Sequence, residues 1–87
     1  FMNINDLIAN VKKKLKQNIN TENILIEDKT FLHKNHAGHD QKRFHLKIKI
    51  SSKELKSMSK IEGYKKVYKI LDHELKTNIH SLQILIN

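Results

Sequence analysis

The sequence predicts an α+β domain in which helices cover one face of a three-stranded sheet. Three observations carry that prediction. Phe44, Leu46, Ile48 and Ile50 alternate with Arg43, His45, Lys47 and Lys49, the two-residue period of a strand with one buried and one wet face. Leu82, Ile84 and Ile86 repeat the alternation near the end of the chain. Before and between these segments, apolar residues recur every three or four positions, as they do on helices that bury one stripe.

Taken in order, Ile4, Leu7, Ile8, Val11 and Leu15 form the first stripe, with Lys12, Lys13, Lys14 and Lys16 mostly outside it. This helix is expected to end near Gln17 in an Asn-rich turn. Ile24, Leu25 and Ile26 mark a short strand over Asn23–Asp28, and residues 29–42 form a connection that is long for so small a domain. The second strand covers residues 43–50. Ser51 and Glu54 have the spacing of a capping box, which opens a helical turn reaching about Met58. Ser59 then caps a helix running to Lys76, on which Ile61, Tyr64, Val67, Tyr68, Leu71 and Leu75 share a face; Gly63 weakens its first turn. Thr77 and Asn78 turn the chain into the last strand, residues 80–86. The first two strands can pair antiparallel, and the helical connection lets the third run parallel to the second.

Eighty-seven residues with 38% hydrophobic content suit one folded domain with a single core and little room for a deep active site. No apolar run is long enough to span a membrane, and no secretory pattern opens the chain. Phe1 reads as an appended residue and Met2 as the natural start. The chain has no cysteine, which excludes disulfides and fits a cytoplasmic setting. The formal charge of +8 is built almost wholly from lysine, since Arg43 is the one arginine. Lysine supports nonspecific phosphate contact, whereas base-specific readers favour the planar fork of arginine. A lysine-, isoleucine- and asparagine-rich composition also follows from AT-rich coding sequence, so charge alone does not define a binding surface.

Histidine is the chemically distinctive residue. His33, His36 and His39 crowd the 29–42 connection, and His80 opens the last strand. Imidazole is a common ligand for borderline metals, and without thiolates any metal chemistry of this chain must use nitrogen. The spacing fits neither a HExxH helix nor a Cys/His zinc finger, so the alternative of solvated polar side chains stays open on chemistry alone. His80 shares the parity of Leu82, Ile84 and Ile86 and is expected on their face of the strand. His45 alternates with lysines and His73 lies on a polar helix side, so both read as structural or solvated. Ser51, Ser52 and Ser59 are accounted for as caps, and no Ser/His/Asp grouping, carboxylate pair or glycine-rich phosphate loop is apparent.

Four segments together resemble the BolA family across essentially the whole chain. They are His36-Ala37-Gly38-His39 in the connection, Arg43-Phe44-His45-Leu46-Lys47-Ile48 against the family's HFKV strand, Gly63-Tyr64-Lys65-Lys66-Val67-Tyr68-Lys69-Ile70-Leu71 against its RHRxVYxxL helix, and Asn78-Ile79-His80-Ser81-Leu82 against its xxHAL ending. The resemblance implies an αββααβ arrangement of the type II KH kind, with a three-stranded mixed sheet. It implies a binding protein rather than an enzyme, one that pairs with a monothiol glutaredoxin and shares a 2Fe-2S cluster with it and with glutathione. By position, His80 and His36 would be this chain's ligands, with His39 the alternative in the connection. No cluster is expected to stay tightly bound to the isolated chain, which should be a monomer or weak homodimer. Some family members are linked to stress response, morphology and transcriptional control.

Two features depart from the family pattern: Gly63-Tyr64-Lys65-Lys66 stands where the family has Arg-His-Arg, and the histidine-bearing connection is shorter than in many members and lacks their Gly/Pro-rich middle. The chain also has no GxxG for RNA clamping of the ordinary KH kind. The competing expectation is DNA binding through a helical pair, residues 52–58 and 59–76. Lys53, Lys56, Lys60, Lys65, Lys66 and Lys69 would then contact phosphates. A third expectation is an adaptor that docks on glutaredoxin without metal and has no need of His80.

Overall fold

The computed structural model describes residues 2–30 and 43–87. Helix α1 spans Ile4–Asn18 and starts at Asn3, whose side-chain oxygen accepts from the Asp6 amide at 2.8 Å. Its stripe of Leu7, Val11 and Leu15 is buried, and the helix stops where Ile19 turns extended. Strand β1, Asn23–Asp28, pairs antiparallel with β2, Phe44–Ser51, in a register running from Asn23 opposite Ser51 to Asp28 opposite Leu46. Strand β3, Ile79–Ile86, joins the other side of β2 in parallel, giving the order β1-β2-β3. The crossover that a parallel pair requires is helical: α2 (Lys53–Lys56), α3 (Lys60–Ile70) and α4 (Asp72–Thr77). The expected α+β class and mixed sheet are therefore present.

Alternation decides where the core sits. Ile24 of β1, Leu46, Ile48 and Ile50 of β2, and Ile84 of β3 pack with Leu7, Val11 and Leu15 of α1 and with Leu55, Val67 and Leu71 of the crossover. The odd-numbered positions of β1 and β2, and of β3 from Ser81 onward, face away. There Leu25, Lys49 and Leu85 lie in one cross-strand row, and Glu27, Lys47 and Gln83 in the next. Leu25 and Leu85 are exposed. Glu27 meets Lys29 at 2.9 Å and Lys49 at 3.3 Å. The Lys29 contact, then that of Lys49, holds its carboxyl below the ordinary range.

Three local expectations are corrected. The cap of α2 is Ser52, not Ser51: the Ser52 hydroxyl accepts from the Leu55 amide at 3.1 Å and donates to the Asn20 carbonyl at 2.7 Å. Ser51 is retained by β2, where it pairs with Asn23. Glu54, freed from a capping box, pairs with Lys66 at 2.6 Å and accepts from the Asn20 amide; the Lys66 contact is the main cause of its lowered pKa. Second, the helix expected over 59–76 is interrupted at Leu71, which leaves helical geometry (φ −96°, ψ 17°) and separates α3 from α4. The cap expected at Ser59 is present, and it is a full capping box completed by Glu62.

Third, the stripe of α3 is centred on Gly63 and Val67, both buried, while Ile61 is 67% exposed and Tyr68 is 41% exposed. At 3.6 residues per turn Ile61 stands about 120° round the helix from Val67, so it could not share the core face. Gly63 has a packing role: a Cβ there would lie 3.0 Å from Cδ1 of Ile86 and 3.7 Å from the Leu55 carbonyl. The helix therefore approaches the sheet more closely than an alanine would comfortably allow.

An ion pair that the sequence did not announce ties α1 to α4. Glu74 is 3% exposed. Its carboxylate accepts from Lys14 Nζ at 2.9 and 3.0 Å and from the Asn10 amide at 2.9 Å. Burial pushes its pKa up, but the hydrogen bonds and charge of Lys14 outweigh that, and the net shift is downward. A carboxyl with a lowered folded pKa stabilises the fold above its unfolded value, ordinarily 4.5, and the contribution fades as pH falls through the folded value. Glu74→Ala should cost about 2 kcal/mol at pH 7, because it strands Lys14 and Asn10. Urea melts at a series of pH values should show the stability gap between wild type and Glu74→Gln narrowing below pH 4.5.

Candidate functional site

The start of β3 contains an irregularity that places His80. Ile79 is fully buried, yet the even positions that follow, Leu82, Ile84 and Ile86, also pack on the core, and strict alternation cannot satisfy both. The register resolves the conflict: Phe44 is opposite Ile79, His45 is opposite Ser81, and His80 has no opposite number. This is a bulge, one extra residue that reverses the parity of the strand. His80 is accordingly exposed and does not share the face of Leu82, Ile84 and Ile86, which corrects the parity expected from sequence.

Arg43 holds the bulge in place. Its guanidinium donates to the carbonyls of Leu75 at 2.9 Å and Ile79 at 3.1 Å, and the neighbouring Phe44 amide donates to the Asn78 carbonyl at 2.8 Å. The single arginine of the chain is thus bound to backbone at the end of α4 and the start of β3. The loss of alternation at Ile79 is the sequence signal that could have revealed the bulge.

His45 is the second residue of the site, and sequence reasoning assigned it no part there. It is 8% exposed, so the solvated reading is overturned and the structural one holds. Its Nδ1 lies 2.6 Å from the Ser81 hydroxyl, and its ring centroid is 4.9 Å from that of His80 with the planes tilted by 55°. Its amide donates to Thr30 Oγ1 at 3.2 Å, while its carbonyl accepts from the Lys29 amide at 2.8 Å. Thr30 is in turn bonded through its hydroxyl to Asp28.

His33, His36 and His39 lie outside the described residues. The described residues flanking that segment, Thr30 and Arg43, both sit at this end of the sheet, one bonded to His45 and the other to the carbonyl before His80. His73 is exposed on α4, as the solvated reading expected. Among the described residues no group of three or more His, Cys, Asp or Glu side chains could enclose a metal ion. What the described site offers is an exposed imidazole, His80, beside a buried one. Nitrogen donors of this kind suit zinc, copper, nickel and iron alike, and thiolate ligands would have to come from another molecule.

The lysines singled out from sequence gather only in part. Lys65, Lys66 and Lys69 line an open groove of about 790 Å³ together with Asn18, Met58, Glu62 and Ile70. Lys60 is exposed at the first position of α3 and is not among the lining residues. Lys66 is already paired with Glu54. The expected helix-turn-helix is not formed, because α2 is four residues long.

The fold and its histidine end define a class, and comparison with known proteins agrees. The chain belongs to the BolA-like protein family, whose sequence profile matches residues 15–87. It is 29% identical over 85 residues to Protein BOLA1, chloroplastic, of Arabidopsis thaliana, covering 94% of this chain and 53% of that protein. The chain therefore spans about half the length of that relative. The solved structure of BolA1 from Arabidopsis thaliana, 29% identical, matches with a TM-score of 0.76 over 91% of this chain and 87% of the other. The BolA domain of SufE1 from the same plant shares the fold, with a TM-score of 0.78, 24% identity, and coverage of 100% of this chain and 94% of the other. The DNA-binding transcriptional regulator BolA of Haemophilus influenzae is 26% identical over 74 residues, covering 85% of this chain and 69% of that protein.

Replacing Arg43 tests how the site is held. Arg43→Ala should cost about 1–2 kcal/mol, as charged hydrogen bonds to two carbonyls are lost. Amide exchange followed by NMR should accelerate at residues 78–81 more than at residues 46–50 of β2.

Proposed function

We propose that this chain is a non-enzymatic adaptor that binds a monothiol glutaredoxin and shares a 2Fe-2S cluster with it, in cytoplasmic iron–sulfur trafficking or iron and redox regulation. The observation that carries the reading is His80: an exposed imidazole whose backbone Arg43 holds through the preceding Ile79 carbonyl, at the end of the sheet where the histidine-rich segment is attached. The cluster is cargo, held between two molecules. The partner's cysteine and glutathione would ligate one iron, and His80 with His36, or His39 in its place, the other. With no thiolate of its own, the isolated chain should retain such a cluster poorly. Imidazole ligands raise the reduction potential above that of an all-thiolate cluster and make binding weaker at low pH, where protonation competes with iron.

The test is to reconstitute the cluster on a glutaredoxin, add this protein, and follow visible absorption and circular dichroism. His80→Ala should abolish the spectrum of the mixed complex. His36→Ala should weaken or alter it, and His73→Ala should leave it unchanged. A mixed complex that still forms with an unaltered spectrum in His80→Ala would overturn the ligand assignment and leave a metal-free adaptor.

A second reading, phosphate-led DNA binding, is favoured by the groove lined by Lys65, Lys66 and Lys69 and by the likeness to the Haemophilus influenzae regulator. Its affinity should fall steeply with salt and vary little with base sequence, since Arg43, the one arginine, is engaged with backbone carbonyls. Charge reversal at Lys65 and Lys66 should lower the slope of log affinity against log salt by about 0.9 for each lost phosphate contact. Tight binding to one duplex that survives moderate salt would contradict this and favour a sequence-specific regulator.

A further inference from the structure

We infer that His45 is a positioning residue for His80, a buried imidazole that restricts the rotamers of the exposed one. This rests on the proposed role of His80 as a ligand and goes beyond it, because His45 itself is assigned no bond to metal. The problem it addresses is physical. An exposed side chain samples its staggered wells, whereas a ligand must present one nitrogen in one direction, within roughly 10–20° of the productive geometry. Every unproductive rotamer of His80 in the free protein lowers its apparent affinity by the fraction of time spent there.

The structure supplies the restriction in three parts. The bulge takes His80 out of register and off the face of Leu82. His45 projects from β2 on the same side as its cross-strand partner Ser81, and the 2.6 Å contact between Nδ1 and the Ser81 hydroxyl fixes its ring. The His80 ring then rests against it at 4.9 Å and 55°, within the distances at which tilted aromatic rings attract. His45 is itself almost fully buried, so it acts as a wall rather than a second mobile group. Without it, His80 would keep its backbone position and lose the surface that selects among its rotamers.

The first readout is NMR of the free protein, independent of any cluster. Three-bond couplings about χ1 of His80 should report one dominant rotamer in wild type and averaged values in His45→Ala. Ser81→Ala, an exposed substitution that keeps the ring of His45 and removes one contact that holds it, should shift the couplings in the same direction by a smaller amount. His45→Phe, which returns an aromatic wall, should recover the wild-type couplings at least in part. The second readout is the glutaredoxin mixed complex, where His45→Ala should weaken capture of the cluster about fivefold, the scale of one aromatic contact, and broaden the circular dichroism bands. A structural role alone would lower the melting temperature without changing the couplings. Averaged couplings in wild type overturn the inference, as do unchanged couplings in folded His45→Ala or, should that variant not fold, in Ser81→Ala. An unaltered mixed-complex spectrum in His80→Ala instead overturns the ligand reading, while the couplings still decide whether His45 orders His80.

Discussion

β2 is hydrogen-bonded on both edges, so every outward and inward side chain on it has neighbours dictated by two partners at once. Its even residues must enter the core, and the antiparallel pairing to β1 satisfies this without irregularity from Asn23 to Asp28. The parallel pairing to β3 does not, because both Ile79 and the even residues from Leu82 onward seek the core. One extra residue reconciles them. Burying Ile79 contributes about 2 kcal/mol that strict alternation would forgo. The residue forced out of register is His80, and so the chemistry of this end of the sheet follows from a packing conflict a residue away.

The charges divide into those that build the fold and those left on its surface. Glu74 clamps α1 to α4 through Lys14, and Glu54 links α3 to the α1–β1 connection through Lys66 and Asn20. Arg43 fastens α4 to β3 through carbonyls alone. The high formal charge therefore overstates what is available for phosphate, since several cations are already engaged in holding elements together. Lys65 and Lys69, on the exposed flank of α3, remain beside the groove.

The two functional readings use different parts of the molecule. Cluster sharing would use the end of the sheet where His80, His45, Thr30 and Arg43 meet; DNA contact would use α3 and the end of α1. No residue named for one reading lines the site of the other, so variants can separate them cleanly. Among the described residues no helix is long and apolar enough to cross a membrane.

Sequence alone determined the class and most of the elements, though not the break at Leu71. Period-two alternation in β2 and the three-to-four-residue stripe of α1 are local properties, set by which side chains must leave water, and they survive in the structure almost residue for residue. The family motifs likewise picked out His80 by position. Tertiary structure decided what local patterns cannot encode. Ile61 has the spacing of a core residue but sits on the wrong side of a stripe whose centre is fixed by the approach of Gly63 to Ile86. Glu74 looks like one more scattered acid until α1 brings Lys14 and Asn10 over it from some sixty residues away. His45 and His80 are far apart in the chain, and their ring contact exists only because a parallel register with one unpaired residue sets them side by side. Periodicity reports which face of an element is buried, whereas register and long-range pairing depend on how several elements share one core.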